Sequence, residues 1–177
     1  MINEHNNIGN KIKGNEGYGW GVWLIPESDE LLNKTMNHQP HITITCNMEK
    51  EHAYEFYESL KSLYGEKFSL LLDSHCTMFI GGYSDNDPYN CCSAYLCSSK
   101  IWDKFGKMFN LYKETNLELK NTGDFSKNPH LTYSYAKKVQ NVTYANSGKP
   151  RELVCKLVVA DIRAPEPSGW CVVSEQF

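Results

Sequence analysis

The sequence predicts an α+β protein with a bilobal, pseudo-two-fold layout: two antiparallel sheets around a central cleft, flanked by helices. Three observations carry that expectation. Short apolar and aromatic stretches of strand type alternate with two longer stretches whose apolar residues recur at helical spacing. Pro40-His41-Ile42-Thr43 is echoed by Pro129-His130-Leu131-Thr132, with the histidines 89 positions apart (130 minus 41). And the order strand, helix, His-x-Thr strand occurs twice, on either side of a loop-rich stretch near the middle of the chain.

Residues 1 to 16 are polar and Asn-rich without apolar periodicity, and predict a flexible tail ahead of a single bilobal domain over 17–177. The first strand is predicted at Tyr18 to Ile25, closed by Pro26. Glu27-Ser28-Asp29 then supplies cap residues for a short helix, Glu30 to Met36. A turn at Asn37 to Pro40 leads into the first His-x-Thr strand, His41 to Cys46. Met48 to Leu63 places Ala53, Phe56, Tyr57, Leu60 and Leu63 at helical spacing, with Gly65 as terminator.

Lys67 to Leu72 and Cys76 to Ile80 read as two extended segments. Gly81-Gly82-Tyr83-Ser84-Asp85-Asn86-Asp87-Pro88 is the strongest loop signal in the chain and puts the lobe boundary near 81–92. Ser93 to Cys97 predicts a strand and Ile101 to Glu114 a helix, with Ile101, Phe105, Met108, Phe109 and Tyr112 on one face. A loop over Asn121 to Pro129 precedes the second His-x-Thr strand. Val142 to Tyr144 is a weak strand signal, and Glu152 to Ile162 and Gly169 to Ser174 close the chain as two strands.

Bulk properties narrow the function classes. With 177 residues, 41% hydrophobic and 12% aromatic, the chain can bury a sizeable core. A net charge of −3 argues against a sequence-independent nucleic-acid binder, which carries a basic excess. Small nucleotides or oligonucleotide ends need only a few local donors. No apolar run approaches the ~20 residues of a membrane span. Seven cysteines, an odd number, follow no apolar leader, so a reduced, cytoplasmic protein is expected; a monomer is expected as well. Cys91, Cys92 and Cys97 lack the paired spacing of a zinc site and read as small buried hydrophobes or free thiols.

The paired motifs carry the chemistry. In a strand, residues i and i+2 share a face, so His41 goes with Thr43 and His130 with Thr132. One such motif says little, because histidine and threonine are ordinary strand residues. Two, each preceded by Pro at the same point of a repeated layout, predict convergence. Displacement at phosphorus needs a base for the entering oxygen and an acid for the departing one, and histidine serves either role near neutral pH. The threonine hydroxyls would donate to the non-bridging oxygens. No metal or other cofactor is required, and His38-x-x-His41 on a turn has no third ligand.

His5 and His52 read as surface residues, and His75 as a hydrogen-bonded structural one. Trp20, Trp23, Tyr83, Tyr135 and Trp170 are candidates to stack on a base, against the plainer reading that each packs in the core. Tyr135 lies five residues after His130, out of phase with it, and needs a β-bulge to share its face. Lys137, Lys138 and Arg151 could assist an anionic ligand, with solvated surface charge as the ordinary alternative.

The chain resembles the 2H phosphoesterase superfamily, and within it the plant- and yeast-type cyclic nucleotide phosphodiesterases. The resemblance rests on Trp20-Gly21-Val22-Trp23-Leu24-Ile25-Pro26, the two Pro-His-x-Thr motifs, Tyr135, and Gly169-Trp170-Cys171-Val172-Val173. It implies a bilobal fold with the site between the lobes, His41 and His130 as acid and base, and Thr43, Thr132 and Tyr135 as substrate-binding residues. The implied reaction is metal-independent opening of a nucleoside 2′,3′-cyclic phosphate or ADP-ribose 1″,2″-cyclic phosphate. Two alternatives accompany it: a phosphodiesterase acting on 2′,5′-oligoadenylates or cyclic oligonucleotides, and a nucleotide- or RNA-end-binding module without turnover.

Overall fold

The computed structural model describes residues 18–27, 39–82, 88–116, 123–136, 150–164 and 169–173. The chain runs β1 (Trp20–Pro26), β2 (Ile42–Met48), α1 (Lys50–Tyr64), β3 (Lys67–Gly82), β4 (Pro88–Leu96), α2 (Lys100–Thr115), β5 (Asp124–Phe125), β6 (His130–Ala136), β7 (Arg151–Asp161) and β8 (Cys171–Val173). The expected tail, the short helix over 30–36, the loop tip 83–87 and the weak strand at 142–144 lie outside the described residues.

The mixed α and β composition is as expected; the sheet arrangement is not. The described strands form one antiparallel sheet in the order β1-β2-β6-β4-β3-β7-β8, in place of two sheets. It closes because β1 pairs with β7 along its whole length, from Trp20↔Asp161 to Pro26↔Cys155, while also pairing with β2. Six strands therefore form a barrel, and β8 extends it beyond β3 along one edge of β7. The physical reason is the length of β3 and β7. The two extended segments predicted at 67–72 and 76–80 are one strand with a register shift between Leu72 and Cys76. That strand reaches both β4 and β7.

The strand order of the barrel is symmetric under one exchange. Exchanging β1 with β4, β2 with β6, and β3 with β7 carries β1–β2 onto β4–β6 and β1–β7 onto β4–β3, and maps β2–β6 and β3–β7 each onto itself. The two self-mapped seams share one sequence offset. At one, Ile42 pairs with Leu131, which lies 89 positions later (131 minus 42). At the other, Lys67 pairs with Lys156, again 89 positions later (156 minus 67). The same offset separates His41 from His130.

One core cluster joins the outward face of the strands to the helices. It holds Val22, Leu24, Ile42, Ile44, Leu70, Leu131 and Leu157 from the sheet, Ala53, Phe56 and Leu60 from α1, and Trp102, Phe105 and Phe109 from α2. Acidic residues in the first turns (Glu51, Asp103) and basic ones in the last (Lys61, Lys113) suit both helix dipoles. Gly65 ends α1 at a φ of 89°, with its N–H donated to the Lys61 carbonyl. Leu63, expected on the buried face, is 60% exposed. Continuing the buried series 53, 56, 57, 60 by four residues reaches Tyr64, which packs in its place.

A six-stranded barrel is too narrow to enclose a helix, so the helices lie outside and the other strand face lines the inside. That inner face is not sealed throughout. At the β3–β7 seam it leaves Leu71 46% and Val154 45% exposed.

Candidate active site

The two His-x-Thr strands meet. Ile42 of β2 pairs with Leu131 of β6, both fully buried on the helix side. Alternation then turns the flanking positions, His41 and Thr43 on one strand and His130 and Thr132 on the other, to the inner face. The antiparallel register sets His41 beside Thr132 and Thr43 beside His130. All four motif positions thus share one patch. The side chains of Thr132 and Tyr135 lie outside the described part of the structure.

This seam is short. After the single rung at Ile42, β2 pairs instead with β5, through Thr45↔Phe125 and Cys46↔Asp124. The sequence predicts loop at β5, since two residues carry no periodicity.

Both imidazoles are held in the same way. His41 Nδ1 lies 2.8 Å from the Gln39 carbonyl oxygen, and His130 Nδ1 lies 2.8 Å from the Asn128 carbonyl oxygen. A carbonyl can only accept, so in each ring Nδ1 carries a hydrogen and Nε2 is the nitrogen that gains or loses the titrating proton. A sequence signal for this lies in the prolines. Each histidine follows Pro, which fixes its own φ and confines the residue before it to extended backbone. Gln39 and Asn128 therefore present their carbonyls alike.

The surroundings of the two rings differ. His41 is buried, its ring stacked on Trp23 with centroids 3.6 Å apart and planes 7° from parallel. Trp170 meets the same imidazole edge-on at 5.9 Å and Trp23 at 6.2 Å, and its Nε1 donates to the Ala164 carbonyl at 2.9 Å. His130 is only half-buried and has the Tyr95 ring tilted against it at 6.0 Å. Burial holds the His130 imidazole below its ordinary value, although its bond to the Asn128 carbonyl pulls the other way. Nothing in the local sequence marks Tyr95; it faces His130 because β4 pairs Tyr95 with His130.

The bulge that Tyr135 needs is present in the backbone. Ser93 pairs with Thr132 but Cys92 with Ser134, leaving Tyr133 as an extra residue on β6. Tyr135 pairs with Cys91, so the shift returns its position to the phase of His130 and Thr132.

The base-stacking candidates fare less well. Trp23 is fully buried and already stacked on His41. Trp20 is buried at the far end of β1, with Lys50 and Arg163 over its ring at 5.5 and 5.1 Å. Both are packed residues, the plainer of the two readings: Trp23 lies against His41 on the inner face, and Trp20 lies on the helix side against Tyr54 of α1. Tyr83, Lys137, Lys138 and His38 lie outside the described residues, as does the side chain of His75.

Arg151 is half-buried at the start of β7, where burial lowers the pKa of its guanidinium. His52 is less exposed than expected and sits within 3.2 Å of the Tyr112 hydroxyl between α1 and α2. Cys46 and Cys155 are buried thiols, each pushed up to about 12 by burial, as expected of small core residues.

Two surface cavities, of about 440 and 470 Å³, lie away from the motif patch. One is beside α2, lined by Trp102, Lys107 and Lys127; the other is near Trp20, Lys50 and Arg163. Neither includes a motif residue. Among the described residues no helix is long and apolar enough to cross a membrane. No protein-family model matches the chain, and no curated protein matches it.

Proposed function

We propose that the protein is a metal-independent phosphodiesterase that opens a small cyclic phosphate ester, a nucleoside 2′,3′-cyclic phosphate or an ADP-ribose 1″,2″-cyclic phosphate, in the cytoplasm. The observation that carries the reading is the matched pair of imidazoles. His41 and His130 occupy equivalent positions on adjoining strands, and each has Nδ1 tied to a carbonyl, which puts the basic lone pair of the neutral ring on Nε2. A purely structural histidine needs one satisfied nitrogen; a proton donor and a proton acceptor for one phosphorus need two, symmetrically placed.

The step balances with groups this chain supplies. One Nε2, unprotonated, takes a proton from water as its oxygen bonds to phosphorus. The opposite bond, from phosphorus to the departing ring oxygen, breaks, and the other histidine, protonated, donates its proton to that oxygen. The product is an open phosphomonoester, and proton exchange with solvent resets the pair. Thr43, with Thr132 beside His41, supplies hydroxyl donors for the charge that builds on the non-bridging oxygens. In the lobed description, the halves related by the two-fold are the lobes, and the inner face at the Ile42–Leu131 seam is the cleft wall.

The test is a panel of 2′,3′-cyclic nucleotides, ADP-ribose cyclic phosphate, 2′,5′-oligoadenylate and cyclic dinucleotides, incubated with EDTA. The expected outcome is turnover of a cyclic monoester that survives chelation and is lost in His41→Ala and His130→Ala. Turnover confined to the 2′,5′-linked or cyclic oligonucleotides selects that alternative within the same chemistry. Binding without turnover selects the module. Activity abolished by EDTA, or retained in both variants, sinks the two-histidine mechanism.

A further inference from the structure

We propose that Trp23 is a positioning residue for His41: its indole face holds the imidazole plane, so that Nε2 points where the phosphate is attacked. The inference rests on the two-histidine reading above and adds a residue that carries no proton itself.

The hydrogen bond to the Gln39 carbonyl fixes only one end of the His41 ring. With Nδ1 anchored at 2.8 Å, the ring can still swing about that bond and carry Nε2 out of line. The indole removes that freedom. It lies parallel to the imidazole within 7° and at 3.6 Å between centroids, while Trp170 closes a second side edge-on at 5.9 Å. Trp23 is itself fixed, since its backbone pairs with Thr43 on β2 and with Val158 on β7. The indole is therefore held by the same β1–β2 ladder that sets Thr43, and braced from the other side by β7.

Trp23 is also a poor choice as filler alone. It is 0% exposed, and among the described residues its buried Nε1 has no hydrogen-bond partner. A phenyl ring would fill much of that space without burying a donor. The feature of an indole that the structure uses is its broad flat face. The two-fold does not repeat it: the position equivalent to Trp23 beside the second motif strand is Ser93, which pairs with Thr132 as Trp23 pairs with Thr43. Among the described residues, His130 has an edge contact from Tyr95.

The experiment compares wild type with Trp23→Phe and Trp23→Leu, using imidazole-labelled protein for NMR and a cyclic phosphate ester for kinetics. In wild type, the His41 ring protons should show a strong upfield ring-current shift and a single Nδ1–H tautomer. Trp23→Phe should keep the tautomer with a smaller shift. Trp23→Leu should lose the shift and show tautomer exchange, with His130 signals unchanged. In kinetics, Trp23→Leu should lower kcat ~10–100-fold with KM within about 3-fold, the pattern of misplacement rather than lost binding. Trp23→Phe should recover most of that loss.

His41 signals unaltered in Trp23→Leu would overturn the proposal. So would equal kcat losses in both variants, which point to the indole N–H instead. If Trp23→Leu does not fold, Trp23→Phe still decides, because an unchanged ring-current shift there excludes the stack. The NMR arm needs no substrate. If wild type turns over nothing in the panel, the enzymatic reading falls while the clamp is still judged.

Discussion

Ile42 and Leu131 are partners across the sheet and occupy the same place in the two Pro-His-aliphatic-Thr motifs. The consequence is geometric: in the antiparallel register His41 falls beside Thr132, and Thr43 beside His130. That is how one histidine and one threonine per strand become a set of four.

The two histidines are expected to act as a unit. Single substitution of His41 or His130 by Ala should lower kcat by about 10²–10⁴, with the double variant little worse than either single one. Steady-state kinetics on the preferred ester measures this; two independent, additive losses would contradict it.

Thr43→Ala should cost on the order of 10²-fold in kcat, and Thr43→Ser should restore most of it, because the hydroxyl and not the methyl is the donor. A change confined to KM would place Thr43 in ground-state binding instead.

Acidity should bear on stability through His130. Burial holds the folded-state pKa of His130 below the ordinary 6.5. Neutral His130 is therefore favoured in the native protein, and its contribution to stability is present above ~6.5 and lost as pH falls through the lowered value. Urea titrations should show stability falling from pH 7 toward pH 5, with a shallower fall in His130→Gln. An NMR titration should place the His130 midpoint below ~6.5; a midpoint above it contradicts the assignment.

The seam should be sensitive to volume. Ile42→Ala or Leu131→Ala each removes a fully buried side chain and should cost ~2–5 kcal/mol in chemical denaturation. Because the two residues touch one seam, the double variant should depart from additivity.

Gly21 marks a close approach between β1 and β2. A Cβ there would run into the Thr45 carbonyl oxygen and the Ile162 side chain. Gly21→Ala should destabilise by more than ~2 kcal/mol, through backbone that must move. It should also weaken activity, since the same pair of strands carries Trp23 and Thr43.

Local pattern was enough for much of this protein. The helices over Lys50–Tyr64 and Lys100–Thr115 were legible because their apolar residues recur at helical spacing, and the motif strands because Pro-His-aliphatic-Thr recurs 89 positions apart. The sharing of a face by His41 with Thr43 and by His130 with Thr132 followed from strand pleat alone. What the chain could not show in one dimension was which strands are neighbours. Closure into one barrel depends on β7 reaching both β1 and β3, a matter of non-local pairing that no local spacing encodes. The same pairing decided that Trp23 stacks on His41 and is not open to a ligand, and that a bulge after Thr132 rephases the position of Tyr135. Residue chemistry and periodicity are properties of a segment, whereas register and stacking are properties of two segments brought together, and only the folded chain brings them.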